Sequence, residues 1–397
     1  MTQTDTSSPI GDTTALVTAF WRDTFPHWRA QVIDGPHGVF DVLDVTGKPD
    51  LDAGKTLLAQ ARTLFTFAHI AQITREPAMI DATRAQAAFV DLFRRADGLY
   101  RAKLARDGTV TGNPQDEVAR SYELSFVLLG LVTWNQIETS AETEALIEAC
   151  WAALQTHLTD PDTGVLRNDD TKTVSNPAQN PHMHWYEACL QAYRMTRDGK
   201  WLTRAADIRT IGLRYFFDTD SGSLAEFITP DYRPLPAPDG LRREIGHQCE
   251  WAWLLSEEAH LAGRTDLTAT VNALMGFAEQ GGFAAQGPLK GAAYDAVSVS
   301  GAVMENRFLL WPQTEAIKAL AARHMAGDPV AEGRAKALLV LMFAGWFDGR
   351  PAFVNQLDAQ GETIWPEALT RVMYHIAVAL TEGARAGFWP NPPAHPA

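Results

Sequence analysis

The sequence predicts an all-α fold, an (α/α)6 barrel of six two-helix repeats with short β-hairpin loops at one end, and three observations carry that prediction. Apolar residues recur at three and four positions along most of the 397 residues, the period of a helix with a buried face. "AGKTLLAQARTLFTFAHIAQI", "SYELSFVLLGLVTWNQI", "CEWAWLLSEEAHLAG" and "WPQTEAIKALAARHMAG" are the clearest runs. Strand candidates are few: "GVFDVLD", "SGSLAEFI" and "PAFVNQLD" are short and lie beside Gly, Asp and Pro, which marks loop hairpins rather than a central sheet. Finally, a polar or aromatic residue recurs in the most apolar helices at Arg62, Tyr122, His182, His247, Trp311 and His375, successive numbers differing by 60, 60, 65, 64 and 64. A fixed period of this kind marks an internal repeat.

Within each repeat the order is a loop with an Asp/Gly turn, an inner helix and a second helix. The loops are "DGPHGVFDVLDVTG", "DPDTGVLRNDD" and "FDTDSGSLAEF"; second helices include "AFVDLFRRADGLYRAKLA" and "TEALIEACWAALQTHL". Six pairs close into a ring whose inner helices are apolar all round, because they pack on the outer layer and on one another, and whose polar residues turn to a central cavity. An open α-solenoid shares the spacing; the number of His and Trp in register favours closure. Residues 1–14 are expected to be a flexible N-terminus, 15–388 a single catalytic barrel and 389–397 a Pro-rich tail.

Composition narrows the function. With 46% hydrophobic and 21% charged residues the chain is globular. Its formal net charge of -14 disfavours nucleic acid and anionic membrane as partners, since like charges repel over about 8 Å in physiological salt. A small neutral or modestly charged ligand suits it better, a few local Arg or Lys side chains could still hold one phosphate, and a homo-oligomer stays open. Cys150, Cys189 and Cys249 are odd in number and sit in apolar helices, which reads as buried thiols in a reducing cytoplasm. "MTQTDTSSPIGDTT" has neither a basic start nor an apolar core, so no secretory signal is expected, and no apolar run approaches the ~18 residues of a membrane span.

The chemistry-bearing residues cluster at helix starts. In "NPHMHWYEACLQAY" Asn180 suits an N-cap and Pro181 the first helical position; Pro312 and Pro366 are expected to open helices in the same way. His182 and His184 are separated by roughly 200° around the helix, so only one of them faces the cavity squarely. In "EIGHQCEWAWLL" His247 and Glu250 are three apart, on one face, where the carboxylate can hold the imidazole. A lone histidine in an apolar helix is usually a core residue, but His182, His247 and His375 at equivalent places in three repeats are not expected of core packing. No HExxH or Cys/His cluster supports a metal. Trp185, Tyr186, Trp251, Trp253, Trp311 and Trp365 pack mostly between layers, with a few free to offer a flat face to a pyranose.

These stretches resemble the N-acylglucosamine 2-epimerase family over nearly the whole chain, in "GVFDVLD", "AQARTLFTFA", "YELSFVLL", "NPHMHWYEACLQAY", "GHQCEWAWLL", "LWPQTEAIKAL" and "MYHIAVAL". The resemblance implies an (α/α)6 barrel that needs no metal or cofactor, with His247 and His375 as the acid/base pair and Glu250 beside them. It also implies a sugar site lined by Arg62, Tyr122, Asn180 and His184, with His182 and Trp311 as neighbours. The sequence departs from the family in "RFLLWPQTE", where Arg307 is displaced, and in "GVF" where "GGF" is common, which bears on substrate contacts rather than on the chemistry. "NPHMH" and "HQCEWAWLL" are more similar to the monosaccharide isomerase branch. The expected activity is therefore aldose–ketose isomerisation of mannose, or a 6-substituted mannose, to fructose through a cis-enediol. Two alternatives are a sugar 2-epimerase and an (α/α)6 glycoside hydrolase using a pair from Glu187, Glu250 and Glu315. A non-catalytic binding role is the third.

Overall fold

The computed structural model describes residues 12–395, so most of the expected flexible N-terminus lies outside the described residues. The first helical stretch is α1 (Thr13–Ala19), capped by the Asp12 carboxylate, and α2 (Phe25–Val32), joined through one wider turn at Phe20–Thr24. There follow α3 (Leu57–Thr74), α4 (Pro77–Asp91), α5 (Ser121–Trp134), α6 (Ala141–Ala153), α7 (Gln179–Thr196), α8 (Gly199–Phe216), α9 (Ile245–Ala262), α10 (Thr268–Gly281), α11 (Leu310–Met325), α12 (Ala331–Met342) and α13 (Met373–Arg385). Inner helices α3, α5, α7, α9, α11 and α13 touch in that order and α13 returns to α3. The ring is closed, and the solenoid alternative falls.

Burial separates the two layers as the sequence pattern requires. In α5 every residue but Tyr122 is buried, whereas α8 buries Trp201, Ala205, Ile208, Arg209, Gly212 and Phe216, one stripe of an amphipathic helix. Short antiparallel ribbons gather at the N-terminal ends of the inner helices. Lys55–Thr56, Arg242–Glu244 and Arg307–Leu309 run straight into α3, α9 and α11. Val42–Leu43 pairs with Ala368–Leu369 and sews the first repeat to the last, helped by the Thr370 hydroxyl donating to the Phe40 carbonyl at 2.5 Å. At the other end of the barrel axis Arg194 and Arg385 pair with Glu257, and Arg385 also with Glu382.

Helix starts differ from the expectation. α7 begins at Gln179 after Ala178, so Asn180 and Pro181 lie inside its first turn; Pro312 likewise lies inside the first turn of α11. Proline is tolerated there because first-turn N–H groups have no partner within the helix. Pro366 opens no helix: it separates Thr363–Trp365 from Ala368–Leu369, and α13 starts only at Met373. Beyond α13, buried Trp389 donates its indole N–H to the Leu380 carbonyl at 2.7 Å, and the His395 backbone N–H reaches the Thr74 carbonyl at 2.7 Å. All three cysteines are free and buried, and no helix among the described residues is long and apolar enough to cross a membrane.

One hydrogen-bond device sets the register of the repeats. Gln60 clamps the peptide of Val39, accepting from its N–H at 3.0 Å and donating to its carbonyl at 2.8 Å. Gln248 does the same to Leu224 and Gln313 to Ala293. In α7 the place is taken by His182, whose Nε2 accepts from Leu166 N–H at 3.0 Å. Each clamp ties an inner helix to its preceding loop. Two residues further on stand Arg62, His184, Glu250 and Glu315, which makes those four the equivalent positions rather than His182, His247 and His375.

Candidate active site

The N-terminal ends of the inner helices surround a cavity of about 490 Å³, the size of a small-ligand site. Arg62, Tyr122, Asn180, His184, His247, Glu250, Trp311 and His375 all line it, so eight of the nine expected site residues meet there. His182 does not: it is fully buried, facing Phe216 of the outer layer, as the angle between neighbouring i, i+2 side chains demands once His184 faces inward. Phe227 and Trp365 also line the cavity and are 43% and 37% exposed. Large rings left that open beside polar groups suit the C–H face of a sugar.

His247 and His375 flank the indole of Trp311, with ring centroids 5.0 and 5.8 Å from it. The backbone of Gly246 permits this arrangement, since a Cβ there would lie 2.2 Å from the Trp311 ring. His247 Nδ1–H donates to Glu226 Oε2 at 2.7 Å, with Glu244 Oε2 at 3.3 Å. Glu226 is held in turn by Gln179 Nε2 at 3.2 Å and by the Glu244 backbone N–H at 2.9 Å. The carboxylate that holds this imidazole is therefore Glu226, from the loop before α9, and not Glu250. Burial disfavours the His247 imidazolium, but Glu226 and Glu244 outweigh it and raise its pKa to about 9.

His375 is set in the opposite sense. Its Nδ1 shares a hydrogen bond with Glu315 Oε1 at 2.7 Å, yet burial, reinforced by the positive charges of Arg62 and Lys318, holds its pKa well below the usual imidazole value. It is neutral at physiological pH, and Glu315 engages Nδ1 rather than Nε2. His184 is also neutral: burial lowers it to about 3, and its Nδ1 pairs with Glu187 Oε2 at 2.9 Å, while Tyr374 donates its hydroxyl to the other oxygen of Glu187.

Beneath the cavity lies a charged floor. Lys318, fully buried, places its ammonium 2.5 Å from Glu315 Oε2, 3.5 Å from Glu250 Oε1 and 3.9 Å from the centre of the Trp253 ring. Glu250 lines the cavity; neither of its buried oxygens has a hydrogen bond among the described residues, and Oε1 faces the Lys318 ammonium. Glu187 and Glu315 are committed to His184, Tyr374, His375 and Lys318 and do not line the cavity, leaving Glu250 without either as the second carboxylate of a hydrolase pair. Arg62, 4% exposed, donates from Nη2 to the Tyr122 hydroxyl at 2.6 Å, and its Nε has no partner.

Among the described residues, three groups bring ligand-type atoms within 4.8 Å of one another: His184–Glu187–Glu250, Glu226–Glu244–His247 and Glu250–Glu315–His375. Within them Lys318 pairs with Glu250 and Glu315, and Arg242 with Glu244. Arg307 pairs with Glu305 outside the cavity at 3.0 Å.

The family model for N-acylglucosamine 2-epimerase (GlcNAc 2-epimerase) matches residues 38–379. A mannose-6-phosphate isomerase of Rhizobium meliloti (strain 1021) is 27% identical over 371 residues, 90% of this chain and 92% of the relative. Among solved structures, a D-mannose isomerase superposes with a TM-score of 0.83 at 22% identity, covering 96% of this chain and 100% of that one. A cellobiose 2-epimerase from Bacillus thermoamylovorans gives 0.80 at 16% identity, covering 92% and 99%. Both structures share the barrel.

Proposed function

Because this chain belongs to the N-acylglucosamine 2-epimerase family of sugar isomerases and epimerases, we propose that it interconverts mannose, or a 6-substituted mannose, and fructose through a cis-enediol. The observation that carries the proposal is the pair of cavity histidines, each fixed through Nδ1 to a carboxylate, one favoured as imidazolium and the other as neutral base. Groups whose surroundings push their pKa values apart are what acid/base division of labour requires. As the pyranose opens, His247 gives a proton to the ring oxygen and takes the one that the O1 hydroxyl loses; it returns that proton to the carbonyl O1 as Nε2 of neutral His375 removes the C2 proton, which gives the enediol. Arg62 supports the enediolate oxygen, a fixed cation at the place where charge develops. Glu250 and His184 accept hydroxyls, and Trp311 lies against the reacting carbons. Return of the proton to C1 gives the ketose. Return to the opposite face of C2 gives the epimer, and the second histidine across Trp311 keeps that second reading in view.

Proton NMR of the protein with D-mannose in deuterated buffer tests the proposal: fructose and deuterium at C2 are expected, glucose moves the reading to 2-epimerisation, and reducing ends released from an oligosaccharide would move it to hydrolysis. Turnover is expected to survive exhaustive EDTA treatment, because both proton transfers are assigned to side chains; activity recovered only on adding a divalent cation overturns that assignment.

The pH profile follows from the same groups. As kcat/KM reports the free enzyme, its alkaline limb is expected near the His247 pKa of about 9. The acid limb falls well below the usual imidazole range, where His375 gains its proton. Glu226→Gln removes the first charge that raises His247, so the alkaline limb moves to lower pH. An alkaline limb unmoved in that variant separates the limb from His247.

A further inference from the structure

The two cavity histidines are bound alike and charged differently. Each engages one glutamate oxygen through Nδ1 at 2.7 Å, His247 with Glu226 and His375 with Glu315, and both rings are buried. The first partner therefore does not decide which ring becomes the acid and which the base. The difference lies one contact further out.

Neutral groups stand behind Glu226. Gln179 Nε2 donates to its Oε2 at 3.2 Å and the Glu244 backbone N–H to its Oε1 at 2.9 Å. The Gln179 amide is fixed in this sense, because its Oε1 accepts at 2.7 Å from the Trp251 indole N–H, a group that can only donate. Among the described residues no Lys or Arg forms an ion pair with Glu226, whose one such partner is His247. Arg243, whose charge reaches Glu226, gives its guanidinium to Ser223 and to the Gly240 and Arg242 carbonyls.

A cation stands behind Glu315. The oxygen that His375 does not use, Oε2, meets the Lys318 ammonium at 2.5 Å. Burial and Glu250 press Glu315 toward its neutral form, so it either pairs with Lys318 or gives up its charge. Both states leave His375 without a net negative neighbour on Nδ1, whereas a carboxylate held by neutral donors keeps its whole charge for the ring.

The remaining charged groups do not touch these carboxylates with their side chains. Glu244 lies 3.3 Å from His247 Nδ1 and is itself paired with Arg242. Glu250 of α9 acts on His247 and has an oxygen within 4.8 Å of a His375 ring nitrogen. Arg62 of α3 and His184 of α7 act on His375, and Arg371, just before α13, lines the same cavity.

We propose that the acid and base roles are assigned from behind the glutamates. Lys318 cancels the charge of Glu315 and keeps His375 a base, and the neutral amide of Gln179, oriented by Trp251, leaves the charge of Glu226 to His247 and keeps it an acid. Gln179 and Lys318 are fully buried and line no part of the cavity, so both are positioning residues. The roles rest on the isomerase reading; the electrostatics do not.

Titration of the histidine rings by NMR tests this in the full chain without sugar, with the signals assigned through His247→Gln and His375→Gln, beside the pH profile of kcat/KM. Gln179→Lys places an ammonium behind Glu226 as Lys318 stands behind Glu315. It is expected to bring the His247 titration and the alkaline limb down by about 1 to 3 pH units, the effect of a charge at ~4–6 Å. Gln179→Met, uncharged and of similar length, is expected to move them much less. Lys318→Gln is expected to raise proton uptake by the Glu315–His375 pair, and the acid limb with it, by a similar amount; if that buried substitution unfolds the chain, the two Gln179 variants decide. Equal shifts in Gln179→Met and Gln179→Lys, a His247 titration unmoved in Gln179→Lys, or a His375 titration unmoved in folded Lys318→Gln overturns the proposal. Ring titrations that move as expected in a chain that exchanges no C2 proton of any hexose would sink the isomerase reading and leave this assignment of charge standing.

Discussion

In the His375→Ala variant, exchange of the C2 proton of the sugar with solvent deuterium is expected to stop, with a fall in kcat of at least ~10³-fold, the upper part of the range for loss of a positioned base. The reason is chemical rather than structural. His375 is a neutral imidazole at physiological pH, held by Glu315 through Nδ1 at the edge of the cavity, and the proposed mechanism uses its Nε2 as the base. The paired variant His247→Ala is expected to lower turnover by orders of magnitude while slow C2 exchange persists. In the proposed mechanism His247 serves the oxygens and not the carbon. Far-UV circular dichroism and thermal unfolding of both variants separate lost chemistry from lost fold. Near-normal C2 exchange without His375 would remove it from the base role and turn attention to His247 on the other side of Trp311.

How much of this the sequence carried depends on whether a feature is periodic. The inner helices were legible because burial on all sides leaves long apolar runs, and the barrel because those runs recur. Even so, the marks chosen for the repeat mixed two kinds of position. His182 holds the clamp that Gln60, Gln248 and Gln313 hold elsewhere, whereas Arg62, His184 and Glu250, two residues beyond, line the cavity and Glu315 lies beneath it on Lys318. The pattern Gln-x-[Arg/Glu], with His-x-His as its α7 form, was present in the sequence and could have resolved which histidine of "HMH" enters the cavity. Glu226 was not legible at all. It lies 21 residues before His247 in a hairpin loop, and nothing local distinguishes it from other acidic loop residues until the ribbon folds back on α9. Arg371 drew no notice because a single arginine before a helix is ordinary; only the closed ring brings it to the cavity near Arg62. Pro366 misled for a related reason, since proline marks an interrupted strand as readily as a helix start.

The largest effect on stability is expected from Lys318→Met, which keeps the bulk of the side chain and removes its charge. Lys318 is the cation between Glu250 and Glu315, all three essentially inaccessible to solvent. Removing one partner of a buried ionic group leaves an uncompensated charge, a loss of about 3–5 kcal/mol. The pH dependence has a definite sign. Burial and the charge of Glu250 already hold the Glu315 pKa well above the ordinary value, against Lys318. Without Lys318 it rises further, so the folded state binds a proton that the unfolded state has released, and stability falls as pH rises above the unfolded glutamate pKa of about 4.3. The penalty should therefore be small near pH 4.5, where the unfolded chain is also partly protonated, and greatest at neutral and alkaline pH. Denaturant unfolding across that range checks it. Lys318→Met combined with Glu315→Gln should recover much of the loss at pH 8, because the carboxyl that had to be neutralised is gone. A penalty independent of pH, or a double variant no more stable than the single one, would mean that the ammonium acts through packing on Trp253 and not through the charges it separates.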